Sequence, residues 1–216
     1  MTYLRVEKPE PQIIHDIIDI SSRIVLVDTN VILDFLEKRN REVSNFIKYL
    51  IKLSGKQLVT VGTTIYNIAE VLDKELEIRF QLELLKNRLS SDDIIRTVRN
   101  RWQYPTNIEK LNDDSKRKLF GSVNRNISRL LQDFVIFLVS DFTEEDYEIL
   151  EELILNGYLQ SQDALMVLTA FKLNAFLVTK DNYLLDSPIV NSLVFIYDPS
   201  NVDHRRELLK EITGGE

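Results

Sequence analysis

The sequence predicts an α/β protein, a three-layer α/β/α sandwich around a central parallel sheet of about five strands. Short apolar segments alternate along the chain with longer segments whose apolar residues recur at helical spacing. The short segments are apolar at nearly every position, which is typical of parallel strands buried on both faces. The chain has 216 residues, of which 44% are hydrophobic. A chain of this size and composition can bury one sizeable core.

The first half of the predicted domain begins with a strand. "RIVLVD" (23–28) reads as a buried strand, and "VILDFLEKR" after it has apolar residues at helical spacing. "REVSNFIKYLIKLSGK" predicts a second helix that ends at Gly55. "QLVTV" predicts the second strand, and we expect Thr63 or Thr64 to cap a helix that continues through "IYNIAEVLDKEL".

The second half repeats this alternation. "FVIFLVS" (134–140) predicts the third strand, and Thr143 and Asp146 after it have the spacing of a capping box. "DALMVLTAFKLNA" predicts a mostly apolar helix, "FLVTKD" the fourth strand and "LVFIYD" the fifth. Parallel sheets of this kind bind their ligands beyond the carboxyl ends of the strands.

Three regions of the chain are expected. Residues 1–22 form an N-terminal extension, in which "IIHDIIDISS" predicts an amphipathic helix. Residues 23–200 form the α/β domain with a basic helical insertion at about 80–132, and residues 201–216 form a C-terminal helix and tail. The first residues lack the apolar segment of a signal peptide, and no apolar run reaches the roughly 20 residues that span a bilayer. We therefore expect a cytoplasmic protein.

Composition excludes several kinds of chemistry. The sequence contains no cysteine, which excludes disulfides, thiolate zinc sites and a cysteine nucleophile. His15 and His204 are its two histidines. The net charge is −7, but residues 79–132 hold twelve Lys and Arg against six Asp and Glu, so one segment is basic and the remainder is acidic. Catalysis would have to rest on carboxylates, hydroxyls or amines.

Four acidic residues fall where this layout can bring them to one edge of the sheet. Asp28 closes the first strand, and Asp163 and Asp181 lie on either side of the fourth. Glu70 lies one to two turns into the helix after the second strand. Clustered carboxylates repel one another unless a cation neutralises them. Oxygen ligands without His or Cys select Mg²⁺ or Mn²⁺, and such a site suits phosphodiester hydrolysis.

Each residue also has a structural interpretation. Asp163 fits the N-cap of a helix, Asp181 fits a turn, and Glu70 fits a solvated helix position. Asp28 is harder to explain as structure alone, because a carboxylate within an apolar segment costs burial energy unless it is bound. The functional interpretation therefore rests on the joint arrangement.

Three segments resemble the PIN domain family, which includes toxin-type ribonucleases of the VapC kind. They are "VLVDTNVILDFL", "TTIYNIAEVL" and the long stretch from "FLVSDFTEED" to "NAFLVTKDNYLL". The similarity covers most of residues 23–198, apart from the segment near 80–132. The single motifs are short, and their order and character together carry the resemblance.

The resemblance implies a site and an activity. Asp28, Glu70, Asp163 and Asp181 match the family's acidic quartet, which holds Mg²⁺ or Mn²⁺. Asn30 matches the polar residue that orients the first aspartate, and Thr179 matches the hydroxyl residue two positions before the last one. Family members of this kind cleave single-stranded or structured RNA by metal-dependent hydrolysis. For toxin-type members the resemblance also implies an antitoxin protein as partner, and it favours a homodimer.

One spacing departs from compact toxin-type members. The step from Glu70 to Asp163 is 93 residues, and the surplus falls in the basic segment. We expect this segment to hold the phosphate backbone of RNA. Trp102 and Tyr104 are candidates for base stacking, or else core anchors. The basic residues that we expect to contact nucleic acid are Arg96, Arg99, Arg101, Lys116, Arg117 and Lys118. A solvated helical hairpin or an oligomer contact is the structural alternative.

The leading hypothesis is therefore a Mg²⁺- or Mn²⁺-dependent endoribonuclease, either a toxin or an RNA-processing enzyme. A second hypothesis is a non-catalytic PIN-like module that binds nucleic acid or a protein. A third is a phosphatase with Asp28 as nucleophile, against which Asn30 stands where a second aspartate suited to acid/base work would be expected.

Overall fold

The described residues form one parallel β-sheet. The computed structural model describes residues 13–14, 23–86, 106–109, 111–139 and 142–214. Within them the chain forms six strands, β1 Ile13–Ile14, β2 Arg23–Val27, β3 Val59–Thr64, β4 Val135–Phe137, β5 Phe176–Val178 and β6 Ile196–Tyr197. Their order is β1-β4-β3-β2-β5-β6, and every neighbouring pair is parallel. The predicted α/β fold class is confirmed.

Most helices lie where the sequence predicts them, whereas the two short helices between β5 and β6 were not predicted. The described residues form α1 Thr29–Glu37, α2 Arg41–Ser54, α3 Ile65–Lys86, α4 Thr106–Glu109, α5 Asp113–Asp133, α6 Glu144–Leu155, α7 Ser161–Lys172, α8 Asn182–Leu185, α9 Pro188–Leu193 and α10 Val202–Thr213. The capping box before α6 is present in both directions between Thr143 and Asp146. Among all the described residues, no helix has the length and hydropathy needed to cross a membrane.

The N-terminal extension differs from the expected helix. Ile13 and Ile14 form β1, which pairs with Ile136 and Phe137 of β4. Two β-branched residues side by side suit a strand, and pairing with the edge of an existing sheet decided between the two structures. The rest of "IIHDIIDISS" lies outside the described residues.

The strand order places a crevice beside β2. The chain leaves β2 through α1 and α2 to reach β3 on one side, whereas β5 pairs with β2 on the other side and leads on to β6. The helices that follow β2 and those that follow β5 therefore lead away from two neighbouring strands in opposite directions. This is a topological switch point, and its carboxyl edge is where open parallel sheets bind ligands.

The chain is divided into two compact units. The sheet lies in the first unit, which comprises residues 1–68 and 131–216. Ile24 and Leu26 pack in one apolar cluster with Leu153 of α6, while the alternate residues Val25 and Val27 are also buried. Burial of alternate residues shows that both faces of β2 are covered. Residue 62 must be glycine, because a Cβ there would overlap the Phe137 ring and the Val135 carbonyl of the neighbouring strand.

The second unit comprises residues 69–130. Its helices enclose a small apolar cluster of their own, formed by Leu76, Phe80, Ile108, Leu111, Leu119 and Val123. The α3 and α5 helices are also joined by a polar contact, in which Asn126 Nδ2 donates to Glu75 Oε2 at 2.8 Å. The predicted insertion at about 80–132 falls largely within this unit. The predicted division of the chain into an extension, an α/β domain with this insertion and a C-terminal tail stays a prediction.

Candidate active site at the carboxyl edge of the sheet

Asp28 lies at the centre of the carboxyl edge. It follows the last residue of β2 and caps the N-terminus of α1, and it is 5% exposed. Its backbone N–H donates to Val178 O of β5 at 3.0 Å. The residue is therefore held at the crevice where the chain leaves the neighbouring strands β2 and β5 in opposite directions.

Four donors surround the Asp28 carboxylate. Oδ1 accepts hydrogen bonds from Thr29 N at 2.6 Å and from Asn67 Nδ2 at 3.1 Å. Oδ2 accepts from Thr179 Oγ1 at 2.6 Å and from Asn30 Nδ2 at 2.7 Å. An ionised carboxylate offers about four acceptor positions. These contacts therefore engage the whole group and fix its orientation.

Asn67 is the residue of this environment that sequence reasoning missed. It lies in the first turn of α3 and is buried. Besides Asp28, its Nδ2 contacts Thr29 Oγ1 at 3.0 Å and Met166 Sδ at 3.4 Å, and its Oδ1 accepts from the Thr64 hydroxyl. The available signal was its spacing, because Asn67 stands three residues after the capping threonine and three before Glu70.

Thr179 connects Asp28 to the segment that carries Asp181. The Thr179 side chain is fully buried. Its hydroxyl donates to Asp28 and accepts from Asp181 N at 3.0 Å. Asp181 itself caps α8, where its Oδ1 accepts from Tyr183 N at 2.8 Å. The side chain of Asp181 therefore has the local structural role that its turn position predicts. Its backbone is connected to Asp28 through the Thr179 hydroxyl.

A second connection holds this segment against α1. Asn30 Oδ1 accepts from Lys180 N at 3.1 Å, and one turn later Asp34 pairs with Lys180 Nζ at 2.6 Å. The Asp34 side chain is 9% exposed and that of Lys180 is 32% exposed. Sequence reasoning did not find this ion pair, since its partners stand 146 residues apart.

Asp163 is half-buried in the first turn of α7. The N-cap of α7 is Gln160, which makes no side-chain capping bond. The interpretation of Asp163 as an N-cap is therefore wrong. Because α7 precedes the parallel strand β5 and returns antiparallel to it, its N-terminus lies at the carboxyl edge of the sheet.

Glu70 belongs to the second unit. It is half-buried on α3, one turn beyond Asn67. Its assignment to the acidic quartet stays a prediction.

The residues expected to contact nucleic acid fall into two groups. Arg96, Arg99, Arg101, Trp102 and Tyr104 lie outside the described residues. Lys116, Arg117 and Lys118 lie on α5.

Two of the α5 residues, Arg117 and Lys118, line a cleft in the second unit. The cleft measures about 320 Å³, and its other basic residues are Arg79, Lys86 and Arg125. The Asp114 carboxylate pairs with Lys118 at 2.5 Å. This hydrogen bond and ion pair raise the pKa of the Lys118 ammonium and lower the pKa of Asp114. The positive charge of Lys118 is thus partly matched, whereas Arg117 and Arg125 are exposed.

The predicted metal ligands suit a hard divalent cation, because all four are carboxylates that bind through oxygen. Among the described residues no group of three or more acidic or histidine side chains could hold a metal ion. Mg²⁺ commonly takes one or two carboxylates and keeps several waters, so a preformed cage is not required. Each Asp28 oxygen already accepts two hydrogen bonds, and an ion bound by Asp28 would replace one of these donors.

No family model and no curated protein matches the chain. Solved structures similar to it include VapBC2 from Rickettsia felis bound to a DNA fragment from their promoter, at 15% identity and a TM-score of 0.46, covering 82% of this chain and 98% of that chain. FitAcB from Neisseria gonorrhoeae is 17% identical with a TM-score of 0.47, covering 82% and 99%. FitAB bound to an IR36 DNA fragment is 18% identical with a TM-score of 0.46, covering 82% and 96%. At these identities and TM-scores the likeness supports no statement about function.

Proposed function

We propose that this protein is a metal-dependent endoribonuclease of the PIN type that hydrolyses phosphodiester bonds in RNA. The observation that carries this proposal is the Asp28 carboxylate, which four donors orient at the topological switch point of a parallel sheet. The motifs that resemble the PIN family supply the choice of reaction. A cytoplasmic setting belongs to the same proposal.

The proposed metal site draws on Asp28, Glu70, Asp163 and Asp181, of which one or two would bind the ion directly while the others would hold its waters. Mg²⁺ or Mn²⁺ bound there makes a water more acidic and offsets the charge of the phosphate. The chain itself contributes orientation, because Asn30, Asn67 and Thr179 hold Asp28 and the Thr179 hydroxyl positions the Asp181 backbone.

RNA cleavage tests this function directly. We expect purified protein to cleave labelled RNA with Mn²⁺ or Mg²⁺ and to stop when EDTA is added. Asp163→Asn should lower the rate by at least about 100-fold, because losing a group that only supports a metal ligand already costs about 10- to 100-fold. Asp203→Asn is the matched control, since Asp203 is likewise in the first turn of a helix, α10. Cleavage that survives both EDTA and Asp163→Asn would sink the mechanism.

A non-catalytic nucleic-acid-binding module is the second candidate, and the basic cleft of the second unit favours it. Lysine and arginine bind the phosphate backbone without any need for a metal. Under this alternative RNA binds in EDTA, Asp163→Asn leaves binding unchanged, and no divalent ion brings about cleavage. Cleavage that depends on Asp163 would reject it.

The partners implied by the resemblance belong to the same proposal. We expect a homodimer, and for a toxin-type protein an antitoxin that covers the carboxylate cleft. Light scattering on the purified protein measures the first expectation. Inhibition of cleavage by the product of an adjacent small gene measures the second.

A further inference from the structure

A cavity beside Asp181 has no role in the site described above. It measures about 350 Å³ and lies within the first unit, between the segment that follows α6 and the segment from α8 to α9. Tyr158 and Tyr183 both line it and are 88% and 85% exposed. Among the described residues these two are the most exposed large apolar side chains. Exposed aromatic rings at one cavity are typical of binding surfaces.

The loop that carries Tyr158 is built to project this side chain. Tyr158 has φ 54°, in the left-handed region that a bulky side chain rarely adopts. Gly157 before it cannot be replaced without movement, because a Cβ there would lie 2.5 Å from Leu153 O. Leu159 after it is buried in the apolar cluster, and its N–H donates to Leu153 O at 3.1 Å. The strained conformation is thus fixed on both sides, while the ring itself contacts solvent.

Tyr183 is fixed by the same segment that carries a proposed site residue. Its N–H donates to Asp181 Oδ1, and Leu184 next to it is fully buried. On the other side of the cavity, α7 begins three residues after Tyr158 and carries Asp163 in its first turn. One wall of the cavity therefore begins next to Asp181 in the chain, and the other wall ends five residues before Asp163.

The polar residues of the cavity indicate what kind of group it takes. The described residues that line it include no lysine or arginine, so a phosphate would find no positive charge there. They do include Asp186, Asn156 and Asn182. A carboxylate accepts hydrogen bonds from the exocyclic amino group of a base, and amides can pair with base edges. Aromatic rings stack on any base.

We propose that this cavity binds an unpaired nucleobase of the RNA substrate, with Tyr158 and Tyr183 stacking on it and Asp186 accepting from its amino group. This proposal rests on the proposed ribonuclease function and adds a base-binding site to it. A base in a duplex would be stacked on its neighbours and could not enter.

Binding in EDTA tests the cavity without any need for cleavage. The probe is a 5′-labelled single-stranded RNA of mixed sequence, followed by fluorescence anisotropy, with the same strand in a duplex for comparison. We expect Tyr158→Ala and Tyr183→Ala each to weaken single-strand binding about 5- to 150-fold, in line with the loss of one stacked base, and to leave duplex binding unchanged. Tyr183→Phe should bind as the wild type does, because the ring is kept. Tyr147→Ala is the matched control, since Tyr147 is 63% exposed on α6 and does not line the cavity.

Tyr158→Gly separates folding from binding. Glycine adopts left-handed backbone conformations without strain, so this variant should melt at the same temperature as the wild type or higher. It should nevertheless bind single-stranded RNA as weakly as Tyr158→Ala. Weakened binding with retained stability cannot be ascribed to a damaged fold.

The outcomes distinguish the cavity from the reaction. Wild-type affinity in all the alanine and glycine variants would overturn the base-binding role, even if Mn²⁺-dependent cleavage is found. Equal weakening of single-strand and duplex binding would overturn it as well, as would wild-type protein that binds no RNA. If the tyrosine variants lose single-strand binding but no cleavage occurs with Mn²⁺, the base site stands and the ribonuclease function fails.

Discussion

The Asp28 carboxylate is stabilised by residues from three separate parts of the chain. Thr29 and Asn30 follow it directly, Asn67 comes from α3, and Thr179 follows β5. A carboxylate buried to this degree costs several kcal/mol unless it is compensated, and hydrogen bonds to a charged group contribute about 1.5–3 kcal/mol each. At the residue scale, the hydrogen bonds that water would donate to Asp28 have thus been replaced by hydrogen bonds from protein donors.

This arrangement predicts the effect of Asp28→Asn on stability. The amide NH₂ would face two of the four donors in either orientation, so at least one donor loses its acceptor. We expect the free energy of unfolding to fall by about 1–3 kcal/mol in urea with EDTA present. If neighbouring acidic groups repelled Asp28 instead, Asp28→Asn would increase the free energy of unfolding of the protein. An increase in stability would therefore contradict the four-donor environment.

At the scale of elements, α6 and α7 are joined through one carboxylate. Asp146 closes the capping box of α6, where Thr143 N donates to its Oδ2 at 2.7 Å. The same oxygen pairs with Lys172 Nζ of α7 at 2.5 Å, and Asp146 is 5% exposed. Burial alone would raise the pKa of Asp146, but the hydrogen bonds from Lys172 and Thr143 outweigh it, so the pKa lies below its ordinary value.

The direction of this shift determines a pH dependence. A pKa that is lower in the folded protein than in the unfolded chain stabilises the fold above the unfolded value of about 4, and this contribution disappears as the pH falls through the folded pKa. We expect Asp146→Asn to destabilise the protein by about 1–3 kcal/mol at pH 7, because the hydrogen bonds that Lys172 and Thr143 donate to the carboxylate are lost or weakened.

Urea unfolding at a series of pH values measures this dependence. The difference between wild type and Asp146→Asn should shrink steadily below about pH 4. A difference that stays constant between pH 7 and pH 3 would show that the Asp146 charge contributes nothing.

At the scale of the whole molecule, charge is divided along the chain. The net charge is −7, yet residues 79–132 hold twice as many basic as acidic residues. RNA binding through such a segment should weaken with salt, because each phosphate contact releases counterions. The net charge of the chain is therefore a poor guide to the partner that this segment binds.

Arg117 and Arg125 offer a measurable form of this expectation. We expect the double variant Arg117→Ala/Arg125→Ala to reduce the slope of log affinity against log salt on single-stranded RNA. The reduction should be about 0.7 for each phosphate that the two arginines neutralise in the wild type. Lys210→Ala is the control, since Lys210 is an exposed basic residue on α10. An unchanged slope in the double variant would remove the cleft from the RNA-binding surface.

Strands β2 to β6, the helices that follow β2 and β3 and the helix before β5 follow from the sequence alone. They depend on local patterns, namely apolar runs, helical spacing and capping residues such as Thr143 and Asp146. Only the tertiary structure decided that Ile13 and Ile14 form a strand, that Asn67 contacts Asp28 and that Tyr158 and Tyr183 share a cavity. The physical reason is that these contacts join segments far apart in the chain. They depend on strand order, and an alternation of strands and helices is compatible with many orders.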